Sequence, residues 1–68
     1  MLKITLKEKE VLKLIRYSFK NIAKRLLIEP TTVKTHFASM YNKVGASNKI
    51  ELLLVALNKK IINIDEIE

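Results

Sequence analysis

The sequence predicts an all-α domain of four helices. Three observations carry this. Apolar residues recur at helical spacing, and alternating strand-like stretches are hard to find. Helix-start signals stand at Thr5, Ser18, Pro30 and Ser47. The single proline and the single glycine of the 68 residues fall where a third helix would begin and end.

The first helix opens with a capping box, Thr5 followed by Glu8: the hydroxyl accepts from the Glu8 amide and the carboxylate reaches back. Val11, Leu12, Leu14 and Ile15 then form an apolar stripe that predicts a helix over 6–16. Tyr17 and Ser18 make a very short connection, with Ser18 as the next cap. The second helix covers 19–26 and turns Ile22, Ala23 and Leu26 inward. Leu27, Ile28 and Glu29 form a tight turn. Pro30 suits the first position of the third helix, where its missing N–H costs nothing. That helix covers 30–44, with Val33, Phe37, Met40 and Val44 on one face and Gly45 ending it in a left-handed conformation. Ser47 caps a fourth helix over 48–60, and the tail from Ile61 mixes isoleucine with acids. No internal repeat or low-complexity linker interrupts what reads as one domain over 1–68.

Composition excludes several function classes. A chain this short buries only about 60% of the surface it exposes when unfolded, so its core is marginal. Without cysteine there is neither a disulfide nor a thiolate metal site, and one histidine leaves no metal cluster. One glycine excludes the usual phosphate-binding loop, and no nucleophile–base pair stands out, so an enzyme is not expected. Apolar runs fall far short of the ~20 residues of a membrane helix. Met1-Leu2-Lys3-Ile4 has no signal-peptide layout. The expectation is a soluble, cytoplasmic and nucleoid-associated domain with no cofactor and an acidic partner. The net charge of +6 is unevenly placed. Residues 1–45 hold ten Lys and Arg against three acids, a net +7, while 46–68 hold three Lys against four acids, a net −1. Such asymmetry is an electrostatic footprint of nucleic-acid binding, although a Lys-rich solvated face produces it too.

A short helix, a three-residue turn and a longer helix make a helix-turn-helix layout. With Val33 as origin and roughly 100° per residue, Phe37, Met40 and Val44 lie within about 40° of it. Thr31, Thr35, Ala38 and Asn42 fall opposite, with Lys34 on their shoulder. That face is small, polar and basic, and no acid occurs between Pro30 and Ile50. Short side chains let a helix enter the major groove of double-stranded DNA, and Lys or Asn reach base edges. Ser18, Lys20 and the free amides opening the second helix make an anion site, and Thr32, Lys43 and Lys49 flank the third helix as further phosphate contacts. His36, about 60° from the core direction, is a packing residue or a rim contact. Tyr17 and Tyr41 suit the boundary of the core, and Phe19 fits either core or surface.

The fourth helix is apolar on two sides. Ile50, Leu53, Leu54 and Leu57 read as the inward stripe. Leu52, Val55 and Ala56, with Lys59 one turn on, form a second face, read as a helix-on-helix homodimer interface. A tail folding back through Ile61, Ile62, Ile64 or Ile67 is the competing explanation.

In order along the chain, Ile4-Thr5 with Glu8, Glu10, Val11 and Leu12, Ser18 with Ile22-Ala23, Thr32-Val33-Lys34-Thr35-His36, and Lys43-Val44-Gly45 with Ser47-Asn48-Lys49 resemble the LuxR/GerE-type helix-turn-helix domain of bacterial transcription regulators. The resemblance covers about 4–62. It implies a four-helix domain with the third helix reading bases through Lys34, Thr35 and Ala38. It also implies phosphate contacts at Thr32, Lys43 and Lys49, and dimerisation through the fourth helix. This sequence departs from the family in its short, glycine-free connection after the first helix, which implies an early end to that helix or a changed angle of the second. Asn21 stands where an acid is common, and Glu29-Pro30 replaces a serine cap. Alternatives are a promoter-recognition module like region 4 of a sigma factor, acting with RNA polymerase, and a protein-interaction bundle without a DNA role. Either a stand-alone regulator or a C-terminal domain of a longer one fits.

Overall fold

The computed structural model describes residues 3–68 and contains four helices: α1 (Leu6–Lys13), α2 (Phe19–Leu26), α3 (Pro30–Val44) and α4 (Lys49–Asn58), then one 3-10 turn at Ile64–Glu66. Among the described residues all regular structure is helical. Met1 and Leu2, part of the stretch read for a signal sequence, lie outside them.

Local chemistry fixes each start. The Thr5 hydroxyl accepts from the Glu8 amide at 3.1 Å, and Glu8 Oε1 accepts from the Thr5 amide at 2.9 Å, which completes the capping box. Ser18 Oγ accepts from the Asn21 amide at 3.2 Å. Asn48, not Ser47, caps α4 by accepting from the Glu51 amide at 2.9 Å, while the Ser47 amide donates to Glu51 Oε1 at 2.7 Å. α3 has no side-chain cap; Glu29 carries the cap position and Pro30 follows it.

α1 stops at Lys13, three residues before the expected Arg16. The amides of Leu14, Ile15 and Tyr17 donate three residues back, to Val11, Leu12 and Leu14, so the chain tightens into turns. That tightening buries Leu14 and Ile15 side by side and spans the short connection to α2.

The core gathers Val11, Leu12, Leu14 and Ile15 with Ile22 and Ala23 of α2, Val33, Phe37 and Met40 of α3, Leu52 and Ala56 of α4, and Ile62 of the tail. Phe37 is fully buried at the junction of α2 and α3. Phe19 stacks on it with ring centroids 5.0 Å apart, and Tyr41 tilts against it at 6.1 Å. Phe19 is therefore a half-buried lid on the core rather than a surface contact, and Tyr17 and Tyr41 sit at the boundary.

α4 is rotated relative to the sequence reading. Leu52 and Ala56, assigned there to a dimer face, are fully buried in this chain's own core, and Val55 is half-buried. Ile50 and Leu54, read as inward, are 74% and 61% exposed. The cause lies at the helix start. The Lys49 ammonium donates to the Tyr17 carbonyl at 2.7 Å and lies over the Phe19 and Phe37 rings at 4.9 and 5.4 Å. This fixes the 49, 52 and 56 side of α4 against the core. The tail does fold back, but toward α1. Ile62 is buried, Glu66 pairs with Lys9 at 3.3 Å, and the Glu68 amide donates to the Lys13 carbonyl at 2.9 Å.

α2 and α3 end in left-handed residues, and Lys60 just past α4 adopts the same conformation (φ 60), yet only Gly45 is a glycine. At the α2–α3 turn Leu27 takes φ 57, ψ 45, and the amides of Leu27 and Ile28 both donate to the Ala23 carbonyl. Leu27 is 91% exposed, so its side chain returns little packing for the strain. Leu27→Gly is expected to stabilise the domain by about 0.5–1 kcal/mol, since relief of left-handed strain exceeds the extra chain entropy of glycine. Urea denaturation of the two proteins checks this, and a lower midpoint for the glycine variant contradicts it.

Candidate nucleic-acid interface

α3 presents the face the sequence describes. Val33, Phe37 and Met40 are buried, and Thr31, Thr32, Lys34, Thr35, Ala38 and Asn42 are all exposed. A helix with its side chains is about 10–12 Å across, close to the roughly 12 Å width of the major groove. Thr31, Thr35 and Ala38 keep this surface low. The Thr35 hydroxyl donates to the Thr31 carbonyl at 3.0 Å. Its proton is thereby committed, and its free lone pair makes it an acceptor toward whatever lies on α3.

The residues assigned to phosphate separate into two groups. Ser18, Lys20 and Thr32 are exposed, and Ser18 heads α2 with its hydroxyl on the Asn21 amide. Lys24 and Arg25 continue the basic surface of α2, and Arg25 lies over the Tyr17 ring at 4.0 Å. Sequence reasoning did not single out Lys24 or Arg25, although their basic charge in the last turn of α2 was the available signal.

Lys43 and Lys49 are instead engaged inside the domain. Lys43 Nζ lies 2.7 Å from Glu8 Oε1, and Glu8 is only 4% exposed. Lys49 is half-buried on Tyr17, Phe19 and Phe37, and burial lowers its pKa. Burial alone would raise the pKa of Glu8, but hydrogen bonds from Lys43, the Thr5 amide and Ser39, with the Lys43 charge, outweigh it and hold the carboxyl at about 2. The pairing links the start of α1 to the last turn of α3, where a cation also suits the helix dipole.

A folded pKa below the unfolded value of 4.5 means that this stabilisation is complete above about pH 4.5 and is lost as pH falls toward 2. The shift corresponds to about 3 kcal/mol. Glu8→Gln is expected to be less stable than the parent at pH 6 and to converge with it at about pH 2. Parallel urea titrations at the two pH values check this, and a gap that persists at low pH contradicts it.

The fold and this exposed, acid-free third helix define a helix-turn-helix domain. The chain belongs to the luxR family of bacterial regulatory proteins (GerE), which it matches over residues 3–56. It is similar to the transcriptional regulatory protein YdfI of Bacillus subtilis (strain 168), with 41% identity over 64 residues, covering 91% of this chain and 30% of that protein. It is also similar to the putative HTH-type transcriptional regulators Rv0890c of Mycobacterium tuberculosis (strain ATCC 25618 / H37Rv) and Mb0914c of Mycobacterium bovis (strain ATCC BAA-935 / AF2122/97). Each is 38% identical over 52 residues, covering 74% of this chain and 6% of the relative. The chain thus spans less than a third of the length of these relatives. No solved structure matches it significantly. No helix of the described residues is long and apolar enough to cross a membrane.

Proposed function

We propose that this domain binds double-stranded DNA sequence-specifically as part of a bacterial transcription regulator, with α3 in the major groove. The observation that carries this reading is the exposed α3 face, Thr31, Lys34, Thr35, Ala38 and Asn42, which is low, polar and free of acids beside a basic α2. Its chemistry suits a base-reading surface. Lys34 offers donors to guanine O6 and N7, and Thr35 offers an acceptor to the amino groups of adenine or cytosine. Ala38 packs on a thymine methyl, and Asn42 matches the edge of adenine. Ser18, Lys20 and Thr32 at the openings of α2 and α3 bind phosphate and set the register.

The regulator acts as a two-fold dimer through the outer face of α4. Ile50 and Leu54 carry this face, with half-buried Leu57 in line and Val55 and Lys59 toward its edge. Leu52 and Ala56 have no surface to contribute. Two such domains fit a pseudo-palindrome with half-sites about one helical turn apart. Affinity for duplex DNA is expected to fall more than about tenfold between 50 and 200 mM salt, as phosphate contacts release counterions. A flat salt titration by fluorescence anisotropy would falsify the electrostatic reading.

A further inference from the structure

We propose that Lys43 acts on DNA recognition as a positioning residue, paired with Glu8 in a strut that sets the angle of α3, and not as a phosphate ligand. The inference rests on the DNA-binding reading above and departs from the phosphate role that family resemblance gives this position.

The geometry supplies the argument. α3 is 15 residues long, and Phe37, its most deeply packed aromatic, lies near its middle, between Lys34 and Lys43. Val33, Phe37 and Met40 seat the first three turns of α3 in the core, whereas its last turn packs only through half-buried Tyr41 and Val44. Lys43 fixes the C-terminal end through its 2.7 Å contact with Glu8 Oε1. The acceptor is itself immobilised: the same oxygen receives the Thr5 amide at 2.9 Å, and the Glu8 amide is tied to the Thr5 hydroxyl at 3.1 Å. The Glu8 side chain is 5% exposed and the Lys43 side chain 29% exposed. A phosphate would thus meet a pair of zero net charge, which has few counterions to release. With the strut gone, the last turn of α3 is no longer tied to α1, the helix shifts in its seat and its outer face loses its fixed angle to the bases, while the cations of α2 still hold the backbone.

The test uses the charge-conserving double variant Glu8→Gln/Lys43→Met. Affinities are measured across a salt series for two probes: a duplex enriched from a random pool by the parent protein, and a shuffled duplex of equal length. Positioning predicts an unchanged salt slope and a fall of about 5–20-fold in the ratio of the two affinities, in a protein whose helical circular dichroism shows it folded. A slope shallower by about 0.9 per lost contact identifies Lys43 as a phosphate ligand and overturns the proposal. An unchanged ratio in the folded variant overturns it too, by making the pair purely structural. Glu8→Gln alone keeps an acceptor for Thr5 and frees the Lys43 charge. It is expected to bind the shuffled duplex more tightly and to lose discrimination, so an unchanged ratio there contradicts the proposal even where the double variant does not fold. A parent protein that enriches no sequence sinks the DNA-binding reading itself, a result distinct from all of these.

Discussion

Lys34→Glu is expected to lower affinity for a specific duplex about 100-fold at low salt, because a base contact worth ~1–3 kcal/mol is lost and a carboxylate faces the phosphates instead. Lys34 is exposed in the second turn of α3, and the last turn of that helix carries the strut, so the substitution leaves core and strut intact. Because position 34 is exposed and glutamate is a good helix former, the variant is expected to fold as well as the parent. Anisotropy titrations across salt check both parts: the affinity drops, and the salt dependence becomes shallower by about one or two charges. Unchanged duplex binding by the folded variant removes α3 as the reading helix and favours a protein-interaction role.

Leu54→Glu carries the second large effect. Leu54 is 61% exposed in the single chain and Ile50 is 74% exposed, so a carboxylate there costs the monomer little. In a dimer it buries a charge against its own symmetry mate. Sedimentation is expected to show a monomer where the parent is a dimer. Affinity for a duplex with two half-sites falls about 100-fold or more as the second binding event ceases to be intramolecular. Affinity for a single half-site stays where it was. A parent protein that is already monomeric at high concentration contradicts the dimer and leaves the outer face of α4 to a different partner, such as polymerase.

These two expectations differ in how far the sequence supported them. The α3 face was legible because its apolar residues fall on one side only: Val33, Phe37 and Met40 leave a single rotational phase for the helix. The helix starts at Thr5 and Ser18 were legible because capping is local chemistry between residues three apart. α4 offered no such signal. Both of its sides are apolar, so periodicity defined two stripes without saying which faces the core. The deciding contact, Lys49 on Tyr17, Phe19 and Phe37, is made to residues about 12 to 32 positions earlier. The Lys43–Glu8 pair was hidden for the same reason, its partners being 35 residues apart in the chain. From the sequence both lysines read as phosphate contacts flanking the third helix. The fold turns them inward, and the free basic surface shifts toward Lys20, Lys24, Arg25 and Lys34.

The strut and the exposed α4 face also address the marginal core of so short a chain. The buried set draws on all four helices and the tail. The Glu8 pairing adds a polar connection between α1 and α3 whose buried oxygens are satisfied. A partner subunit on Ile50 and Leu54 would stabilise the folded state further by mass action, making the melting temperature depend on protein concentration.

Selection of bound sequences from a random duplex pool tests the central claim most directly. The account predicts enrichment of a pseudo-palindrome with half-sites about one helical turn apart. Within each half-site, the base pair facing Lys34 is expected to be G·C and the one facing Ala38 to carry a thymine methyl. A pool that emerges unenriched after selection, or one enriched for a single asymmetric site bound by a monomer, would contradict it.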